Sequence, residues 1–284
     1  MQRAISRLGV RGLGSLLGLA ALGAAFGAAA GCGAGAFEES VGRRDLGAAI
    51  RLDREARHDG GVSESRLVAL AELTLLEAVR RGDARERAMA FGELRSLLDR
   101  GEPLLAILSG EGLTPEAAPA GKGSAPPPKD APTNTALVEA LWSPNPALRA
   151  RAALLLGERG AFESLRLHQL GRDPDRHVRL LLAVGLLSDR EAAAWSALSA
   201  LAPGHDLPAA QAGAELASRG DRSALAHLGE LALAGPLHVR VAAIRGLGRA
   251  RPEPRLLPNA LAAPEAEVRI AAAGSILFAL SGRD

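Results

Sequence analysis

The side chains of this 284-residue chain with the greatest chemical reach are one cysteine, Cys32, six histidines (His58, His168, His177, His205, His227 and His238) and a long series of arginines. A single thiol cannot close an intrachain disulfide. No Ser/His/Asp spacing of a nucleophilic triad, no glycine-rich phosphate loop and no CxxC pair occurs. Gly157-Glu158-Arg159-Gly160 reads as a turn and not as a nucleotide loop. The expectation is a protein that holds other proteins and is not an enzyme, with no catalytic residue, no cofactor, no metal and no small-molecule ligand.

The arginines are ordered. Leu148-Arg149, Val178-Arg179, Val239-Arg240 and Val268-Arg269 repeat one pattern, with a weaker copy at Pro208-Ala209, so successive anchors lie 30, 30, 31 and 29 residues apart. Four residues after each anchor stand Ala152, Leu182, Ala212, Ala243 and Ala272. Eight after stand Leu156, Leu186, Leu216, Leu247 and Ile276. Spacings of four and eight put these residues on one helical face. A fixed period near 30 with helix-sized segments signals stacked helical units, none of which buries its apolar face alone. Alanine in the middle column lets helices approach closely, and Leu or Ile in the third fills the space between neighbours.

The elements that carry this pattern follow from their punctuation. Asn145-Pro146, Asp173-Pro174, Gly220-Asp221 and Pro264-Glu265 are helix starts, and Ser188 with Glu191 forms a capping box. Outer helices are expected near 136–143, 161–171, 189–201, 221–234 and 254–263, with an inner helix after each anchor. Upstream, Leu67, Leu70, Leu73, Leu76 and Val79 recur at helical spacing, Gly82-Asp83 breaks the run, and a second helix follows to about Leu98. Six prolines between Glu111 and Thr135 mark a linker.

The stretches Asn145-Pro146-Ala147-Leu148-Arg149, Asp173-Pro174-Asp175-Arg176-His177-Val178-Arg179 and Glu267-Val268-Arg269-Ile270-Ala271-Ala272 resemble HEAT repeats, especially the short type shared with phycobilin lyases. The resemblance implies an all-α fold, a right-handed α-solenoid of antiparallel helix hairpins. It would hold about five C-terminal repeats (136–284) plus a degenerate N-terminal helix pair (63–110). The family often carries an Asp five residues before the Val, kept here only as Asp173. Arg149, Arg179, Arg240 and Arg269 then have two readings: bonds to carboxylates or helix-end carbonyls of a neighbouring repeat, or a charged stripe for an acidic partner. Relatives that bind two irons use His-Glu dipeptides, and none occurs here. His177 and His238 hold equivalent positions roughly two repeats apart; at ~10 Å per repeat they cannot share a metal. Trp142 and Trp195 are expected to serve packing. The alternative function is a lyase-like repeat enzyme or an accessory subunit of one.

The first 31 residues follow the plan of a secretory signal: Arg3, Arg7 and Arg11, then an apolar stretch from Leu13 to Ala30 with no acid. Its end, Ala29-Ala30-Gly31-Cys32, resembles the lipobox of bacterial lipoproteins, with Ala29 where the family usually has Leu. The resemblance implies lipidation at Cys32 and a protein held to the cell-envelope membrane. Cleavage by the ordinary peptidase, leaving a free Cys32 thiol, and retention as an uncleaved anchor are the alternatives. Residues 32–62 read as a tether with at most one helix, near Leu46 to Ala56. The signal removes three of the 34 basic residues, leaving 31 against 32 acidic. A near-neutral protein without Tyr lacks the charge and stacking platforms of a nucleic-acid binder. The expected partners are therefore envelope proteins, and the membrane through the lipid.

Overall fold

A computed structural model of the chain describes residues 33–60, 63–98, 132–161, 169–188, 190–250 and 257–280. Cys32, the leader, His168 and most of the proline-rich linker lie outside the described residues. Among the described residues all regular structure is helical: α1 (Gly33–Gly42), α2 (Leu46–Gly60), α3 (Glu64–Arg81), α4 (Ala84–Leu98), α5 (Asn134–Ala140), α6 (Pro146–Glu158), α7 (Arg176–Gly185), α8 (Glu191–Leu201), α9 (Leu207–Ser218), α10 (Arg222–Ala234), α11 (Leu237–Arg249), α12 (Pro258–Leu261) and α13 (Ala266–Leu280).

Short polar side chains start these helices by accepting the N–H groups that a first turn leaves unpaired. Asn145 accepts from Ala147 at 2.9 Å, with Pro146 in the first turn of α6. Asp221 accepts from Ser223 and Ala224 at the start of α10. Asp206 accepts from Ala209 at the start of α9, whose first turn tolerates Pro208 because a proline there forfeits no helical bond. Two starts differ from expectation. Asp175, not Asp173, caps α7, because Asp173 is taken by an arginine. Residues 186–188 form one 3-10 turn and Arg190, not the expected Ser188, occupies the cap position of α8. Of the expected turn Gly157–Gly160 only Arg159 and Gly160 leave the helix, since Gly157 and Glu158 end α6; Gly160, at φ 62°, takes the left-handed conformation that follows it.

The five inner helices after the anchors are α6, α7, α9, α11 and α13, and their columns are the core. Ala152, Leu182, Ala212, Ala243 and Ala272 are all buried, as are Leu156, Leu186, Leu216, Leu247 and Ile276. Val178, Val239 and Val268 are buried too, whereas Leu148 is 52% exposed because nothing among the described residues lies before it in the row. α6 lies against α7, and α9 against α11 against α13, with α8 and α10 behind them. The apolar interior has two parts. A small cluster joins Leu137, Leu141, Ala153, Leu156, Val178 and Leu182. A large one runs from Leu180 through α9–α13 into the N-terminal helices.

That continuation is the main departure from sequence order. α3 and α4 pack on α13, the last described helix, and not on α5 or α6, the next described helices in sequence. The expected tether also folds. Residues 33–60 form two helices, with Phe37 and Ala49 buried and the Arg66 guanidinium 5.0 Å above the Phe37 ring. Buried Asp53 pairs with Arg57 at 2.8 Å, and Arg57 donates to Asn259 of α12 at 3.3 Å. The apolar positions that make this possible (Phe37, Val41, Leu46, Ala49, Ile50) are too sparse to stand out against their charged neighbours.

Glu72, half-buried on α3, carries a pH dependence. Burial pushes its carboxyl up to about 7. A raised carboxyl pKa means that the native state holds the proton longer than the unfolded chain does. Its contribution is therefore complete below the ordinary carboxylate value and lost as pH rises through about 7. Glu72→Gln should leave the melting temperature unchanged near pH 4 and raise it above that of the parent near pH 8.5. A gap of the same size at both pH values would remove the assignment.

Candidate functional site

The arginine series is largely engaged within the fold. Arg149 donates from Nε and one terminal nitrogen to the two oxygens of Asp173, at 2.9 and 3.0 Å, and from the other terminal nitrogen to the carbonyls of Ser143 and Pro144. Burial alone would raise the Asp173 carboxyl; the Arg149 bond, the Asp175 N–H and the charges of Arg149 and Arg179 outweigh it and hold the group below its usual range. Arg240 donates to Glu265 at 2.8 Å and to the Ala232 carbonyl at 3.3 Å. The Glu265 carboxylate is held low by its own backbone N–H and then by Arg240. Arg269 donates to the carbonyls of Ala263 and Pro264 at 2.9 and 2.7 Å. Arg179 departs from the series: its buried Nε has no hydrogen-bond partner among the described residues. Its place is taken by Arg176, which pairs with Asp206 at 2.7 Å and caps the Leu201 carbonyl at 2.8 Å. Sequence reasoning missed that pair because Arg176 precedes the anchor Val178 by two residues and Pro203, not Asp, stands five residues before the weak anchor Pro208.

The histidines are dispersed. His205 and His227 meet edge to face at 5.5 Å, and His227 Nε2 lies 2.9 Å from the Gly204 carbonyl. No group of three or more metal-ligating side chains occurs among the described residues. Trp195 packs as expected: its Nε1 donates to Glu191, and the Arg219 guanidinium sits 5.0 Å over its ring. Trp142 does not; it is 62% exposed just beyond α5.

A groove of about 540 Å³ runs across the inner helices α7, α9 and α11, closed on one side by α4 and the start of α13. Leu181, Val184, Leu207, Leu237 and Val241, with Met89 of α4, give it an apolar lining. Its rim is charged. Arg85 pairs with Glu267 at 3.3 Å, Arg249 with Glu215 at 3.7 Å, and Arg245 with Glu93 at 2.6 Å. Burial raises the Glu93 carboxyl, opposed by Arg245. The Glu93 side chain reaches Arg245 over Gly274 of α13, where any Cβ would meet it. α4, docked on α13, thus supplies the wall that closes one side of the groove.

Sequence signals for the groove were present but unread. Three residues after their anchors stand Leu181, Gln211 and Ala242, and six after stand Val184, Ala214 and Arg245, all of which line it. These two columns form the second face of the same helices. Among the described residues no helix is long and apolar enough to cross a membrane. The chain matches no protein-family model, and neither a curated protein nor a solved structure matches it.

Proposed function

We propose that this chain is a lipid-anchored scaffold of the bacterial cell envelope that binds other proteins in the groove of a HEAT-type solenoid. In this reading the α5–α13 region is a right-handed superhelix of five repeats, and the α3–α4 pair stacks on the last of them as a further unit. Cys32 carries the lipid. Because α1 begins at Gly33, the lipid would be joined to the folded body directly, with no long tether between them.

The observation that carries the proposal is the groove: an apolar floor spanning three successive inner helices between charged rims. Apolar side chains left partly open in a concavity, ringed by ion pairs, fit the anatomy of a protein-binding surface. Cross-linked capture from detergent-solubilised envelope should yield a defined partner with the parent chain and lose it with Val241→Glu. For the anchor, the parent should fractionate with membranes, and Cys32→Ser should be released or accumulate unprocessed. Identical size and membrane partition of the two would remove the lipid claim. Turnover of a small molecule by a chain that captures nothing would favour the lyase-like alternative.

A further inference from the structure

The three ion pairs on the groove rim share one orientation. Arg85 is 70% exposed over Glu267 at 17%; Arg249 is 62% exposed over Glu215 at 32%; Arg245 is 44% exposed over Glu93 at 13%. In each, the carboxylate is sunk and the guanidinium faces whatever enters. The Arg85 and Arg249 pairs are loose, at 3.3 and 3.7 Å, so most of their donors remain available to a second acceptor. The rim is therefore basic where it is touched, although its formal charges balance. Beneath it, Val184, Val241 and Leu181 offer apolar surface, with Gln211 and His238 as its polar neighbours.

We propose that the groove binds an amphipathic helix of a partner protein, with apolar side chains on the floor and Asp or Glu residues along its edge meeting Arg85, Arg245 and Arg249. The inference rests on the scaffold reading and adds the chemistry of the partner. A space of about 540 Å³ takes side chains and not a whole helix, so the partner helix lies across the rims and inserts residues spaced i, i+3 or i+4, and i+7. Guanidinium groups donate paired N–H bonds to carboxylates, which gives the acidic edge both register and attraction. A partner with a basic edge would place its cations against three exposed arginines, which disfavours it.

The test is selection of a displayed library of helical peptides, randomised in both stripe and flanks, against the full purified chain. Enriched sequences should carry an apolar stripe flanked by acids. The best of them, measured by fluorescence anisotropy, should weaken at least tenfold with Arg85→Glu and with Arg249→Glu, and should lose binding with Val241→Glu. The same peptide with Lys in place of its acids should bind the Glu variants better than the parent. Arg85→Gln and Arg249→Gln, which remove charge with less risk to the fold, should give smaller losses in the same direction, and thermal melting confirms that each variant folds. No enrichment, enrichment of basic flanks, or affinities indifferent to the arginine variants would overturn the proposal. So would dimerisation of the parent abolished by Val241→Glu, which would make a second copy the occupant. Partner capture from envelope that survives every groove variant would sink this inference and leave the scaffold reading standing.

Discussion

A fragment of residues 132–284, lacking α1–α4, is expected to lose cooperative folding, although it contains the whole of the region with the 30-residue period. α13 is buried on both flanks, between α11 on one side and α3 and α4 on the other. Ten of its fifteen residues are buried, so it has no face designed for water. Removing α3 and α4 uncovers side chains that belong to one core with Leu67, Leu70, Leu75 and Leu97. Each large aliphatic group taken out of water contributes about 1.5–3 kcal/mol, and four such groups approach the whole stability of an ordinary domain, about 5–15 kcal/mol. The Arg245–Glu93 and Arg85–Glu267 pairs are lost as well. The fragment should retain helical circular dichroism, melt without a sharp transition and self-associate. Adding a peptide of residues 63–98 should restore a sharp melt. A monomeric fragment that melts at the temperature of the full chain would show that α13 does not depend on the N-terminal helices.

The contrast between the two halves explains what a reader of the sequence can recover. The inner helices were legible because their burial is periodic: Ala152, Leu182, Ala212, Ala243 and Ala272 stand at one offset and all are buried. Adjacency between consecutive units is local information. The docking of α3–α4 on α13 is not local. It joins residues as far apart as Glu93 and Arg245, and no periodicity in either segment names the other. Residues 32–62 read as a tether because the positions buried there, among them Phe37, Ala49 and Asp53, include a carboxylate whose burial makes sense only beside Arg57 and Asn259. The groove was half legible. Its floor lies on offsets that the helical pattern already implied, but its closing wall is α4, and only the non-local docking supplies it.

Gly157→Ala is expected to destabilise the chain by about 1–3 kcal/mol, the usual cost of forcing atoms into a filled interface, although alanine is the better helix former by about 1 kcal/mol. The reason is backbone contact between α6 and α7. A Cβ built on Gly157 would lie 2.6 Å from the carbonyl carbon of Gly185, 2.7 Å from its Cα and 2.8 Å from its oxygen. A Cβ on Gly185 would in turn sit 2.8 Å from the Leu154 carbonyl oxygen. No side chain stands there to rotate away, so the two helices must move apart and loosen Leu156, Val178 and Leu182 around the crossing. Gly229 of α10 is the matched control, with nothing within 4 Å of its Cβ position; Gly229→Ala should stabilise by about 0.5–1 kcal/mol. Opposite signs for one chemical change separate helix propensity from packing. The damage should also be regional, because the cluster around Leu156, Val178 and Leu182 is distinct from the core that runs through α9–α13 and α3, which α7 joins through its buried Leu180 and Ala183. Hydrogen exchange of Gly157→Ala should therefore quicken in residues 134–186 while α11 and α13 keep their protection. Equal stabilisation by both substitutions would mean that α6 and α7 do not cross at this distance, and uniform loss of protection would mean that the two clusters unfold as one.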